Sequence, residues 1–285
     1  MPLVTPKEIY SLISGEKAMA VGGFNVHNME YTQAVVKAAE VERMPVILML
    51  GEPMLEYANL DMLVTITTFA AKNSRIPIAV ILDHGKTFKN IQRCIDIGIS
   101  IMVDGSHLPF EENIRFTKDA VIYAKRTGAS VEGELGSLAG IEDIDKGSTE
   151  HLTDPEKAVE FVERTGIDSL AVSIGNQHGK YIGKPILDIE RLRKIKNLVN
   201  IPLVLHGGSD LPVNLSIEAI NSGITKFNIG TDLKYAFCEE LKRVLNKEPM
   251  PFQPPQTLGL ARENVYRVAR EKIQLFKNGN ELNLF

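Results

Sequence analysis

Cysteine is scarce in this sequence, which has only Cys94 and Cys238 among its 285 residues. Both lie in segments with helical periodicity, and neither has the spacing of a metal or redox motif, so we expect two reduced thiols in the core. No apolar run reaches the roughly 18–20 residues that span a bilayer, and no basic segment followed by an apolar stretch lies near the first residue. These observations predict a cytoplasmic protein that does not bind a membrane.

The sequence also lacks an excess of positive charge. Its 32 lysine and arginine residues are outnumbered by 36 acidic residues, which gives a net charge of −4 at pH 7. This balance offers no electrostatic footprint for nucleic acid, so we expect no nucleic-acid partner. No linker rich in proline, glycine or serine divides the chain. We therefore expect one domain over residues 1–285, long enough to bury a full core.

Eight short β-rich runs alternate with segments of helical periodicity. The runs occupy residues 19–25, 45–50, 78–83, 100–105, 130–136, 169–175, 202–207 and 226–230. Strands that are apolar on both faces and alternate with helices predict a parallel sheet closed into a (β/α)8 TIM barrel. An open doubly wound sheet is the alternative, but no GxGxxG motif follows the first run. We also expect a C-terminal helical extension over about 250–285, with an extra helix near 258–277.

One predicted connection is longer than a barrel needs. Residues 137–153 follow the fifth strand, and connections of this length are commonly functional. In the TDPE motif that follows, Thr153 and Glu156 have the spacing of a capping box, and Gly166 has the position of a helix terminator. The sequence therefore predicts a functional loop followed by a well-defined helix.

Polar side chains follow the predicted strands at one end of the barrel, where side chains of different strands converge. They are Asn25, Asp83, His84, Asp104, Glu134, His178, His206 and Asn228. Because neutral imidazoles are common metal ligands, and three protein ligands leave a catalytic zinc an open position, His84, His178 and His206 predict a metal site. For His27, His107 and His151 we favour loop or capping roles.

Carboxylates and glycine-rich turns complete this end of the barrel. Asp83 adjoins His84, so it either reaches a molecule held by the metal or orients a histidine. Asp104 and Glu134 have either direct catalytic roles or roles in the second shell or with an auxiliary cation. The HGGS and NIGTD turns expose backbone N–H groups before helices, which predicts an anion site, although Thr231 is equally compatible with a helix cap.

Six motifs in chain order resemble those of the class II, metal-dependent fructose-bisphosphate and tagatose-bisphosphate aldolases. They are LDHG (82–85), MVDGSHLPFEENI (102–114), VEGELGSLAGIED (131–143), DSLAVSIGNQHGKY (168–181), LVLHGGSDLP (203–212) and KFNIGTDL (226–233). The resemblance covers almost the whole predicted barrel. It implies an enzyme that cleaves a ketose 1,6-bisphosphate to dihydroxyacetone phosphate and an aldehyde such as glyceraldehyde 3-phosphate, and it suggests a homodimer or homotetramer.

The resemblance also implies roles for individual residues. Zinc is bound by His84, His178 and His206, while Asp83 transfers the proton of the C4 oxygen and Glu142 that of the dihydroxyacetone phosphate carbon. The matched phosphate-binding positions, often with a monovalent cation such as Na⁺ or K⁺ nearby, are Asn25, Gly179, Gly207, Gly208, Ser209, Asn228, Gly230 and Thr231. A retro-aldol reaction needs an electron sink beside the ketone, either a lysine Schiff base or a metal. The predicted strand ends carry no lysine, and Lys226 begins the last strand, away from the site.

Departures from the family pattern leave the substrate open. Gly230 and the Ser209–Asp210 pair are typical of tagatose-type members, whereas NQHG (176–179) and Gly133 differ from the usual residues. Glu52 would repel a distal phosphate if it pointed inward and is harmless if it faces solvent. The alternatives are a class II aldolase that uses a different ketose phosphate and a sugar-phosphate-binding barrel without catalysis.

Overall fold

Eight parallel strands close into a barrel in the computed structural model, which describes residues 3–15, 17–140, 151–181 and 183–278. In chain order the strands are β1 (Val21–Asn25), β2 (Val46–Gly51), β3 (Ile78–Gly85), β4 (Ser100–Val103), β5 (Val131–Leu135), β6 (Ala139–Gly140), β7 (Ser169–Val172), β8 (Gln177–His178), β9 (Leu203–Leu205) and β10 (Ile224–Ile229). The strands β6 and β8 pair with each other outside the barrel, and β10 pairs with β1 to close it.

Helices separate the barrel strands and surround them. Within the described residues they are α1 (Pro6–Ile13), α2 (Met29–Glu42), α3 (Glu52–Ala58), α4 (Leu60–Asn73), α5 (Phe88–Ile97), α6 (Phe110–Ala124), α7 (Pro155–Thr165), α8 (Ile189–Leu198), α9 (Val213–Asn221), α10 (Thr231–Leu245) and α11 (Pro254–Lys277). No helix in these described ranges combines the length and the apolar character that crossing a bilayer would require.

The predicted (β/α)8 barrel with an extra C-terminal helix is confirmed. Every residue of β2 and β3 is buried, because helices cover the outer face of the strands and side chains fill the interior. The extra helix, α11, packs against α2 and α10. Its Phe276 ring stacks on Phe227 of β10 with centroids 4.8 Å apart, and the backbone N–H of Ala20 donates to the Phe276 carbonyl at 3.0 Å. The extension therefore forms part of the barrel's outer layer.

The first helix covers the end of the barrel opposite the predicted site. Thr5 and Glu8 form a capping box at the start of α1, which buries Ile9 and Tyr10. The backbone N–H of Val4 donates to the Ile78 carbonyl at 3.0 Å, so this segment is held where β3 begins. Since strands are parallel, the amino ends of the barrel are covered and the carboxyl ends remain available.

The sixth barrel strand, β7, is shorter than predicted and ends at Val172. The Asn176 side chain, which is fully buried, accepts from the Ile174 backbone N–H at 2.8 Å and donates to the His206 carbonyl at 3.0 Å. These bonds replace the ladder of a continuing strand and turn the chain. The next two residues then form β8, so His178 lies in a separate short strand.

Two local predictions need correction. Asp154, not Thr153, caps α7: its side chain accepts from the Glu156 and Lys157 backbone N–H groups, while Thr153 accepts from the Ser173 N–H at 2.8 Å. Thr153 and Glu156 have capping-box spacing in the sequence, but the adjacent aspartate makes the cap bonds in the structure. Gly166 ends the helix in the left-handed conformation, as predicted. Cys238 is exposed rather than in the core, whereas Cys94 is buried.

The long connection after β5 has a paired base. Ser137 and His151 exchange two backbone hydrogen bonds, at 2.9 and 3.0 Å, and β6 pairs with β8 next to them. Glu142, predicted to act from this connection, lies outside the described residues.

Candidate active site

Three histidines converge at the carboxyl ends of the barrel strands. His84 ends β3, His178 lies in β8, and His206 directly follows β9. One nitrogen of each ring lies within 4.8 Å of the others, and the ring centroids are 4.7 to 6.0 Å apart. Such a cluster of imidazole nitrogens is a suitable site for a divalent transition metal.

Carboxylates fix the orientation of two of these rings. His84 Nδ1 lies 2.9 Å from Asp104 Oδ2, and His206 Nε2 lies 3.0 Å from Glu132 Oε1. Because an ionised carboxylate only accepts hydrogen bonds, each bonded ring nitrogen carries a proton, and in a neutral ring the other nitrogen then presents a lone pair. His206 Nδ1 is buried without a hydrogen-bond partner, as expected of a metal ligand. The residues present therefore fit the predicted metal.

Asp104 and Glu134 form a second group with His84. Their ligand atoms and those of the histidine lie within 4.8 Å of one another. Burial would raise the pKa of Asp104, but hydrogen bonds from His84 and from the Ser106 hydroxyl outweigh it and lower that pKa. Glu134 Oε2 lies 3.7 Å from His84 Nδ1. The group is compatible with both predicted alternatives, support of the histidines and binding of an auxiliary cation.

Asp83 lies inside the barrel beside the histidines. Its carboxylate is 2% exposed and accepts from Asn25 Nδ2 at 2.7 Å, with Asn228 Nδ2 at 3.4 Å from its other oxygen. Successive residues of a strand normally face opposite sides. Here His84 has a φ of 49°, and the register between β3 and β4 shifts between Leu82 and Gly85. This irregularity lets adjacent side chains reach one site, and such strain is typical of functional positions.

The two glycine-rich turns have glycines at positions where a Cβ would contact neighbouring groups too closely. Gly207 has a φ of 64°, and a Cβ there would lie 1.9 Å from the Gln177 carbonyl oxygen. The Gly208 N–H donates to the Asn228 carbonyl at 3.0 Å, which joins the two turns. A Cβ on Gly230 would lie 2.6 Å from Asn25 Oδ1. Both turns thus bring backbone close to the barrel interior.

The second turn leads directly into α10. Its N-cap is Gly230, which makes no side-chain cap bond, so Thr231 is the first helical residue rather than the cap. The Ser209 hydroxyl accepts from the Asp232 backbone N–H at 3.2 Å. Gly179, with a φ of 83°, follows His178. These groups surround a helix N-terminus, where an anion is favoured by the helix dipole and free N–H groups.

Glu52 does not simply face solvent. Its carboxylate accepts from the Lys86 backbone N–H and the Thr87 hydroxyl, both at 2.6 Å, and from the Asn90 amide. It therefore satisfies the N-terminus of α5, where a negative charge is favourable.

Sequence reasoning missed two residues below the histidines. Glu132 contacts His206, and Lys226 Nζ lies 2.8 Å from Glu132 Oε2. Burial opposes ionisation of Glu132, but the Lys226 charge and the His206 hydrogen bond lower its pKa to about 2. Lys226 was expected to begin the last strand, away from the site, but β10 begins at Ile224 and the lysine lies inside the barrel. The alternation of Glu132 with Glu134 was the available signal, since both face the interior.

Within the described residues, the remaining histidines belong to neither group of candidate ligand atoms. His27 packs its ring edge against Tyr31 at 5.0 Å, His107 is exposed, and His151 belongs to the bridge with Ser137.

The barrel and its polar carboxyl end are those of a (β/α)8 barrel enzyme, and comparisons with known proteins specify which. A family profile described as "Fructose-bisphosphate aldolase class-II" matches residues 9–281. A fructose-bisphosphate aldolase of Geobacillus stearothermophilus is 39% identical over 97% of both chains. One of Thermus caldophilus is 41% identical over 96% of this chain and 98% of its own. The chain therefore belongs to the class II fructose-bisphosphate aldolase family, whose members are metal-dependent enzymes of reversible aldol cleavage.

Solved structures agree. The YdjI aldolase of Escherichia coli K12 superposes with a TM-score of 0.87 and 35% identity, covering 99% of this chain and all of that one. A structure titled a putative fructose-1,6-biphosphate aldolase from Coccidioides immitis gives a TM-score of 0.84 with 30% identity over 92% of each chain.

Proposed function

We propose that this chain reversibly cleaves a ketose 1,6-bisphosphate to dihydroxyacetone phosphate and an aldehyde such as glyceraldehyde 3-phosphate, with one zinc ion held by His84, His178 and His206. The main supporting observation is the convergence of the three ring nitrogens, with His206 Nδ1 buried and unpartnered. A bound divalent ion would polarise the carbonyl next to the bond that breaks.

Asp83 is proposed to take the proton of the C4 hydroxyl as the C3–C4 bond breaks, and to return it in the condensation direction. Its hydrogen bond from Asn25 supports this role, because it holds one carboxylate oxygen in a fixed position beside the histidines. Asp104 and Glu134 are proposed to support His84 or to bind an auxiliary cation.

Glu142 is proposed, from the family resemblance, to transfer the proton of the dihydroxyacetone phosphate C3 carbon. NMR of solvent exchange at that carbon tests this role. In Glu142→Ala, exchange should slow while zinc and phosphate still bind. Exchange at the wild-type rate would return the role to another group.

The phosphate of the dihydroxyacetone phosphate half is proposed to bind at the two glycine-rich turns, one after β9 and one between β10 and α10, with Na⁺ or K⁺ beside it. The backbone there supports this proposal, since Gly207 and Gly230 let it lie closer to Gln177 and Asn25 than a residue with a Cβ would allow. The proposed residues are Asn25, Gly179, Gly207, Gly208, Ser209, Asn228, Gly230 and Thr231.

Fructose 1,6-bisphosphate is our first candidate substrate, because two bacterial relatives that match almost end to end are named fructose-bisphosphate aldolase. Tagatose 1,6-bisphosphate and ketose phosphates with other aldehyde halves are the alternatives. A retro-aldol assay coupled to release of dihydroxyacetone phosphate, run on fructose, tagatose and deoxy-ketose phosphates, decides among them. Release from none of these would favour the non-catalytic binding barrel.

We also propose a homodimer or homotetramer. Tyr57, Met62 and Phe69 on α3 and α4 are 84%, 67% and 68% exposed, and an exposed apolar face of this kind is typical of an interface. Light scattering tests this directly. The single domain, the cytoplasmic location and the absence of nucleic-acid and membrane partners stay predictions.

A further inference from the structure

A buried ion pair lies directly below the three histidines. Glu132 and Lys226 are 1% and 0% exposed, and they meet across the barrel from β5 and β10. The two carboxylate oxygens of Glu132 contact different residues. Oε1 contacts His206 Nε2 at 3.0 Å, and Oε2 contacts Lys226 Nζ at 2.8 Å. The three side chains therefore form one continuous chain that ends at a histidine of the metal cluster.

The barrel leaves room for this arrangement. A Cβ on Gly23 of β1 would lie 2.8 Å from Lys226 Cε and 2.7 Å from Met49 Sδ. The glycine thus gives space to the lysine stem, which a larger residue would displace. Burial of a charged lysine is costly unless it is paired, so its presence here calls for a physical role.

We propose that Lys226 is a positioning residue of the metal site, acting through Glu132 on His206. Lys226 fixes one carboxylate oxygen and balances its charge, so that the other oxygen accepts the Nε2–H of His206. The ring is then held with its Nδ1 lone pair toward His84 and His178. Without the lysine, Glu132 is a buried anion with one oxygen unpaired, and it no longer holds the imidazole in one orientation.

Zinc affinity tests this inference, which rests on the metal site proposed above. The dissociation constant is measured by competition with a chromophoric chelator for the wild type, Lys226→Met, Glu132→Gln and the double variant. We expect Lys226→Met to weaken zinc binding about 10- to 100-fold, the usual effect of removing an outer partner of a ligand. Lys277→Met is the matched control, because Lys277 is 8% exposed on α11 and binds the Glu42 carbonyl instead. It should leave zinc affinity unchanged.

The double variant tests whether Lys226 acts on His206 through Glu132. If Lys226 acts through Glu132, adding Lys226→Met to Glu132→Gln changes the dissociation constant by less than about twofold. Additive losses would overturn the route through Glu132, and wild-type affinity in Lys226→Met would overturn the positioning role. If circular dichroism shows that Lys226→Met does not fold, the zinc dissociation constants of Glu132→Gln and of the double variant are still compared. A difference larger than about twofold would then overturn the route through Glu132.

A spectroscopic readout separates positioning from general support. In the ¹⁵N-histidine spectrum of the metal-free wild type, His206 should carry its proton on Nε2, and Lys226→Met should show a mixture of the two tautomers. An unchanged tautomer in that variant would count against the proposal. A wild type that binds no zinc would instead overturn the metal site itself.

Discussion

The polar side chains inside the barrel form two levels. The lower level is Glu132 and Lys226, and the upper level is the three histidines with Asp83 and Asn228. The two levels differ in how completely their polar atoms are hydrogen-bonded. At the lower level, each oxygen of Glu132 has a partner, His206 for one and Lys226 for the other. At the upper level, His206 Nδ1 and Asn228 Oδ1 are buried without a hydrogen-bond partner. A buried polar atom without a partner is costly, so a protein keeps one where a ligand will supply the missing bond. The comparison separates side chains that contact a ligand from side chains that position them.

Removing an upper-level ligand should have the largest effect. His178→Ala should lower the metal content from about one ion per chain to almost none and abolish retro-aldol activity, because two imidazoles remain where a catalytic zinc uses three protein ligands. Elemental analysis of the purified variant measures this. His107→Ala, which changes an exposed histidine, is the control. Full metal retention in His178→Ala would contradict the ligand assignment.

Changing the upper-level carboxylate should affect turnover but not metal. Asp83→Ala should lower kcat by about 10²–10⁴-fold, the usual contribution of an acid–base group, with zinc still bound. Steady-state kinetics and metal analysis on the same sample check both parts. Asp119→Ala, an exposed substitution on α6, should leave kcat unchanged. If zinc is lost with activity, Asp83 instead belongs with the supporting groups.

A substitution at the glycine-rich turn after β9 should lower stability. Gly207→Ala should lower the free energy of unfolding by about 1–3 kcal/mol, because it adds left-handed strain and drives a Cβ against the Gln177 carbonyl. Gly183→Ala is the matched control, since Gly183 has a φ of 83° but open space around it. Denaturant titration measures the free energy of unfolding of both variants, and the difference between their losses gives the effect of the clash. Equal losses would show that strain alone is responsible.

The smallest effect concerns thiols outside both levels. Burial raises the pKa of Cys94 to about 12, so this thiol stays protonated and unreactive at neutral pH, whereas Cys238 is exposed. A thiol reagent should label one cysteine in the native protein and the second only after unfolding. Cys238→Ser should remove the native signal. Rapid labelling of both thiols would show that the helix carrying Cys94 opens readily.

The sequence predicted the barrel because the signal repeats eight times: each strand is apolar on both faces and is followed by a helix. The upper-level residues were found because they interrupt apolar runs at corresponding strand ends. Glu132 and Lys226 were missed because the sequence does not show that two charged residues in distant strands contact each other; only the closed barrel brings their side chains together in its interior. The pair β6 and β8 was missed because two-residue strands have no periodicity.

The bridge between Ser137 and His151 has a consequence for protein engineering. It fastens both ends of the long connection, and the pairing of Gly140 with His178 ties the first part of the connection to a proposed zinc ligand. The attachment points are thus set by backbone hydrogen bonds rather than by the residues between them. We expect chimeras that exchange residues 141–150 with those of another family member to keep His178 in position.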